Sequence, residues 1–236
     1  GTLSIGGSFS FWGGSVETIN GGTINLTGNL ALEEDSQVAG PKFDLSTSTA
    51  LFNFTGGTAA QIFLQDDAGA AQNLELWDVT ISKNTGITAT FSGPVEVYGA
   101  FTMQSGTIAT SGCGVVSLRG NWNHTGGTYA TGTRMALTGG AAQTLQATGG
   151  VLPSITVDKS GGIAQVNNGS TVTIGSATGG ELFWVKRGTF NLNGGTLVVN
   201  GIMFVGDNSA GAGTGYTPAP VLNAVTANSA LDINAT

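Results

Sequence analysis

Few residues in this chain could do chemistry, and they are spread thinly. His124 is the only histidine and Cys113 the only cysteine. A lone histidine cannot build a zinc site, which needs three or four ligands. No serine and acid accompany it in a known nucleophile pattern, so a structural or surface role is expected. Cys113 lies between Gly112 and Gly114 and reads as a small turn or core residue; a single cysteine forms no internal disulfide. Glu33-Glu34-Asp35 and Asp66-Asp67 could offer oxygens to calcium, which takes six to eight. Their spacing fits neither an EF-hand nor the glycine-aspartate nonapeptide. Solvated acidic loops are expected there, the first running on to Pro41, and no cofactor is assigned. Asp78 with Lys83, and Asp158 with Lys159, are expected at the surface. Glu96 and Arg119 stand 23 apart and could meet across neighbouring strands. That is one pair, whereas cleaving a polysaccharide takes converging carboxylates.

The residues that must position these groups form a repeat. Val95, Val97, Gly99, Phe101 and Met103 lead to Gly106-Thr107-Ile108. At 21 positions further on come Val116, Leu118, Gly120 and Trp122, then Gly127-Thr128-Tyr129. Leu3, Ile5, Gly7 and Phe9 carry the same form, as do Ile24, Leu26, Gly28 and Leu30, and Leu197, Val199, Gly201 and Met203. Alternation of period two predicts strands with one buried face. Recurrence every 20 or so residues predicts a stacked architecture.

A longer period is superposed. Gly22-Thr23-Ile24, Gly106-Thr107-Ile108 and Gly188-Thr189-Phe190 follow one another at 84 and 82 residues. Gly56-Gly57-Thr58-Ala59-Ala60-Gln61 returns as Gly139-Gly140-Ala141-Ala142-Gln143, and the segment ending at Lys83 returns 76 residues later, ending at Lys159. The reading is a higher-order repeat of about 82 residues. It predicts that Gln61 and Gln143 occupy equivalent positions in an amide ladder. It also predicts that Phe101, Trp122 and Phe183, with Trp184 and Phe190, share an aromatic column. Trp12 and Phe11 read as core or stacking aromatics.

No apolar 3.6-residue period is long enough for a sizeable helix, and segments end at Gly, Asn, Thr or Ser, which turn the chain readily. One turn of such a chain cannot bury its inward side chains, but stacked turns can. The fold class expected is all-β: a parallel β-solenoid, specifically a right-handed β-helix, over residues 1–206. A β-sandwich would explain the short strands but not the two registers. From Asp207 the pattern fails. Residues 207–236 read as a divergent tail serving as cap, lateral brace or strand donated to another subunit. The first strand carries no polar cap, and the chain starts without Met or a signal peptide, as a processed subunit or fragment would. An uncapped strand is an edge open to pairing. Leu3, Ile5 and Phe9 at one end, and Val221, Leu222, Val225, Leu231 and Ile233 at the other, are therefore the candidate subunit-interface residues.

Composition narrows the partners. Of 236 residues, 40 are Gly and only 9% are charged, with a net charge of −7, against roughly 25% charged residues in ordinary soluble domains. The seven basic residues are scattered apart from Lys186-Arg187, so there is no basic stripe of the kind nucleic acid requires. No run approaches 18 apolar residues, so no membrane-inserted helix is expected. A polar, weakly charged surface without disulfides suits an extracellular or cell-surface protein of bacterial or archaeal type, packing against copies of itself.

With these segments laid out, the chain resembles the right-handed β-helix regions of large bacterial surface proteins, filamentous adhesins and autotransporter-like passengers among them. The resemblance rests on the Gly-Thr-Ile/Phe steps and on Gly139-Gly140-Ala141-Ala142-Gln143-Thr144-Leu145-Gln146. It implies a β-helix and carries over no catalytic residue. Three function classes follow. The first is a non-enzymatic structural subunit forming a filament, sheath or surface layer. The second is an adhesin stalk or glycan-binding segment of a larger surface protein. The third, less favoured, is a polysaccharide lyase or hydrolase.

Overall fold

The computed structural model describes residues 1–12, 19–34, 48–66, 74–112, 115–176, 180–206, 219–224 and 229–234. Strands are the regular elements found among them. The chain lays down β1 (Thr2–Ile5) and β2 (Phe9–Trp12), β3 (Thr23–Leu26) and β4 (Leu30–Glu34), then β5 (Leu51–Gly56) and β6 (Ala60–Asp66). Passes of three strands follow: β7 (Leu74–Leu76), β8 (Asp78–Lys83) and β9 (Thr88–Ser92); β10 (Val95–Val97), β11 (Phe101–Ser105) and β12 (Thr107–Ser111); β13 (Val116–Leu118), β14 (Trp122–His124) and β15 (Thr128–Tyr129). Next come β16 (Arg134–Gly139) and β17 (Gln143–Ala147), β18 (Ser154–Val166) and β19 (Thr171–Ile174), β20 (Glu181–Asn191) and β21 (Thr196–Val199). The last are β22 (Gly201–Val205), β23 (Val221–Asn223) and β24 (Ala230–Ile233).

These strands form three open parallel sheets of fifteen, six and three strands. The largest has two limbs. One runs β7-β10-β13-β16, through the first halves of β18 and β20, to β22; the other runs β1-β3-β5-β8-β11-β14-β17, through the second halves of β18 and β20, to β23. The six-stranded sheet is β2-β4-β6-β9-β12-β15 and the small one β19-β21-β24. Each strand pairs with strands one pass away. The twice-written stretch falls in register: Val95 faces Val116, Phe101 faces Trp122 and Thr107 faces Thr128.

The alternation places the core. In β8, Val79, Ile81 and Lys83 point inward, and the neighbouring Phe52, Phe54, Phe101 and Met103 are likewise fully buried. The glycine of the repeat has a steric reason. A Cβ on Gly120 would run into the Gly99 carbonyl, and one on Gly28 would lie 2.7 Å from the Gly7 carbonyl carbon.

Several expectations change. The long-period landmarks do not share one face: Thr23 begins β3 in the large sheet, whereas Thr107 begins β12 in the six-stranded one. Glu33 and Glu34 belong to β4, opposite Gln65 and Asp66 of β6, because the ladder outlasts the apolar alternation. The rest of that predicted loop, with Asp67 and Cys113, lies outside the described residues. In the predicted tail, β23 pairs with β20 and β24 with β21, so the described tail strands extend two ladders in parallel within the chain.

Candidate functional site

The terminal strands gather most of the exposed apolar surface. Leu3 (53% exposed) lies on β1; Ile202, Phe204 and Val205 lie on β22; Val221 on β23; Leu231 and Ile233 on β24. The register explains it for Leu3, Val205, Leu231 and Ile233, whereas Ile202, Phe204 and Val221 face the half-buried Leu182, Trp184 and Thr189 and so point outward. Leu231 and Ile233 continue the columns of Leu197 and Val199, and Leu3 and Ile5 those of Ile24 and Leu26. Leu197, Val199 and Leu26 are fully buried, so these end residues are core positions beyond which no described strand packs. Ile5, Phe9 and Leu222 are partly buried against the core. Val225 lies outside the described residues.

The predicted ladder residues separate. Phe101 meets Trp122 edge to face at 6.4 Å and Phe91 at 6.3 Å. Phe183 is not in that column: it faces Ile155 on the other limb and packs on Phe190 at 5.0 Å. Gln61 and Gln143 do not stack either. Gln61 is exposed and opposite Thr90 in the six-stranded sheet, whereas Gln143 is buried and opposite Ala164 in the large one. Five residues lead from Gly56 to Gln61 and four from Gly139 to Gln143. One extra residue reverses which face a strand side chain points to.

Two buried lysines were expected at the surface. Lys83 and Lys159 are both 0% exposed. The Lys83 ammonium donates to the Thr55 (2.7 Å) and Thr27 (2.9 Å) carbonyls. Lys159 donates to the Thr138 and Ala141 carbonyls and to Gln143 Oε1, at 2.8, 2.7 and 2.6 Å. Gln143 Nε2 in turn reaches the Leu118 and Gly120 carbonyls, both at 2.7 Å. Burial lowers both amines, Lys159 to about 8. A lowered amine is the usual mark of a reactive lysine, yet these two are enclosed and spend their protons on carbonyls. They hold the fold. The signal was legible: Lys83 follows Val79 and Ile81 in phase.

Charge gathers outside the limb that ends in β22. Arg119 bonds Glu96 at 2.9 Å and lies 4.5 Å over the Tyr98 ring, while the Tyr98 hydroxyl donates to Glu75 at 3.0 Å. Burial, then the Glu75 hydrogen bond, raises the Tyr98 phenol far above its ordinary value. Each carboxylate thus has a partner. Asp158 is held by Lys186 (2.9 Å) and Arg187 (2.6 Å), and not by Lys159. His124 is buried at 5.5 Å from the Tyr129 ring, and burial lowers its imidazole. Among the described residues no three His, Cys, Asp or Glu side chains gather as a metal site, and no helix is long and apolar enough to cross a membrane.

Two clefts flank the segment 148–152, which meets β19 through the isolated bridges Thr148–Thr171 and Leu152–Ile174. One, of about 420 Å³, is lined by Tyr129, Thr133, Ser176 and Glu181 among others. The second, of about 480 Å³, is lined by Gln146, Thr148, Asn167, Asn168 and Ser170 among others. No protein-family model, curated protein or solved structure matches this chain.

Proposed function

We propose that the parallel sheets are the faces of one β-solenoid with coils of about 20 residues, and that the protein is a non-enzymatic extracellular structural subunit whose ends bind further copies of itself. The recurring order of faces and the all-parallel pairing support the solenoid. Its hand is taken as right, the near-universal sense of parallel crossovers.

One observation carries the functional reading: inward-facing apolar side chains lie exposed at both ends of the ladders, while their counterparts in the middle are dry. The ends are also complementary. On one limb β1 and β23 are terminal; β2 ends the six-stranded sheet and β24 the three-stranded one, which the proposed solenoid joins as one further face. Both pairs run in the same chain order and direction. A copy set above another would continue both ladders, setting β1 against β23 and β2 against β24. Such a contact joins unlike surfaces and generates an open filament.

Sedimentation velocity over a hundredfold concentration range, with negative-stain electron microscopy, tests this. Rods that lengthen with concentration, and that shorten to single units in Leu3→Asp and Ile233→Asp, are expected. Rods of one fixed length at every concentration would defeat it and leave the alternative, an adhesin stalk or glycan-binding segment whose ends meet other parts of a longer chain.

A further inference from the structure

The limb that ends in β23 carries an uncharged polar track on its outer face. Asn25, Asn53, Thr80, Thr102, Asn123 and Gln146 succeed one another in register across six neighbouring strands. At the ordinary strand spacing of roughly 4.8 Å, the track is about 24 Å long. Its amides are oriented: Asn53 Nδ2 donates to Asn25 Oδ1 at 2.9 Å, and Ser82 Oγ to Asn53 Oδ1 at 2.9 Å. Gln146, the last of the six, lines the 480 Å³ cleft, where Thr148, Asn167, Asn168, Ser170 and Thr171 continue the same chemistry. Asp78, on the same limb, has a carboxylate oxygen taken up by the Ala100 N–H at 2.6 Å. The ion pairs of Glu96 and Asp158 lie on the other limb.

We propose that this cleft, with the amide and hydroxyl track running into it, binds a neutral polysaccharide chain lying along the direction in which the strands stack. An amide offers a donor and an acceptor side by side, and a hydroxyl offers either, which matches the hydroxyls of a sugar without stripping water from an ion. Among the described residues a polyanion would find no cation along the track, and Asp78, beside Thr80, already accepts the Ala100 N–H. A flat copy of the same sheet could cover the track but would leave the cleft unfilled. Recurrence across six strands supplies the many weak contacts through which a polymer is held.

Co-sedimentation of the purified protein with insoluble cellulose, chitin and β-1,3-glucan tests this, with calcium pectate as the acidic comparison. At least one neutral polymer should deplete the protein from solution. Asn168→Glu combined with Gln146→Ala should lower the bound fraction at least fivefold, and Arg134→Ala, on the charged limb, should leave it unchanged. If the double variant fails to fold, soluble hexasaccharides added to the wild type should shift the side-chain amide resonances of Gln146, Asn167 and Asn168 before others. Three outcomes would overturn the proposal: no depletion by any neutral polymer, equal binding by a folded double variant, or depletion by pectate alone. Filament formation is read separately, by sedimentation without polymer.

Discussion

The corner around Lys83 and the corner around Lys159 are built from the same pieces and end in different hydrogen-bond sets. Each lysine faces a glycine of the strand below, Gly56 or Gly139. Each lies under a glycine of the next pass, Gly106 between β11 and β12 or Gly188 within β20, whose added Cβ would fall 2.5 or 2.6 Å from the lysine Cβ. Each ammonium takes the carbonyl of a threonine, Thr55 or Thr138. The first then reaches a second carbonyl, Thr27, directly. The second stops at Ala141 and Gln143, and the Gln143 amide reaches on to Leu118 and Gly120. The two corners stand on different limbs. What recurs in the sequence is therefore a way of filling a corner, with the last link either a lysine or a lysine and a glutamine. A compact ammonium with three rotatable donors suits a place where several carbonyls converge.

The largest effect separating the corners is expected from truncation. Lys159→Ala leaves a cavity and takes one donor from each of two carbonyls and the Gln143 oxygen, for a loss of about 3–5 kcal/mol. Lys83→Ala takes a donor from one acceptor fewer and should cost about 1 kcal/mol less. Urea unfolding of both variants measures the difference; equal losses would mean that Gln143 adds nothing to the second corner.

The next test asks what the corners share. Gly106 and Gly188 have φ of +85° and +80°, a region that side chains enter at a cost, and each abuts its lysine. Gly106→Ala and Gly188→Ala should each lose about 2–4 kcal/mol, with the two values agreeing to within about 1 kcal/mol. A large disagreement, read in the same unfolding experiment, would show that the corners are not one motif. The third test asks what they do not share. Gln143→Leu removes the donor to two buried carbonyls and should cost about 2–3 kcal/mol. Gln61→Leu, at the exposed counterpart, should change stability by under about 0.5 kcal/mol.

Much of this was legible. The 21-residue step of Val95, Phe101 and Thr107 gave strand positions, direction of pairing and the buried face, because in stacked parallel strands the offset between repeats is the offset between ladder partners. The corners were legible as landmarks but not as places. Gly56 and Gly139 look like one coil position, yet strands of unequal number per pass put one at the end of β5 and the other at the end of β16. Parity hid the rest. Thr58 has no counterpart after Gly140, and that single residue turns Gln61 outward and Gln143 inward. The lysines were misassigned because residue type was weighed over phase; Val79, Ile81 and Lys83 alternate without a break. The neutral track and its cleft depend on register summed across six strands, and no single repeat displays them.

The smallest expected difference is in the pH dependence. Burial holds the Lys159 amine near 8 in the folded protein, against about 10.4 in an unfolded chain. Between those values the unfolded chain keeps a proton that the folded one has released. Stability therefore rises with pH across that window, and the cost of enclosing the charged form is borne below it. Lys83 is lowered by the same cause and acts in the same direction. Tyr98 and Tyr129 oppose them: burial raises both phenols, so above about pH 10 the folded state holds protons that the unfolded chain gives up, and stability falls. Unfolding free energies measured from pH 7 to 9.5 isolate the lysine term. Wild type should gain about 1–2 kcal/mol over that range. Lys159→Met should flatten most of the rise and Lys83→Met less of it. A wild type whose stability is level or falling from pH 7 to 9.5 would mean that the carbonyls around Lys159 compensate its charge fully, and the difference between the two corners would then be one of hydrogen-bond number alone.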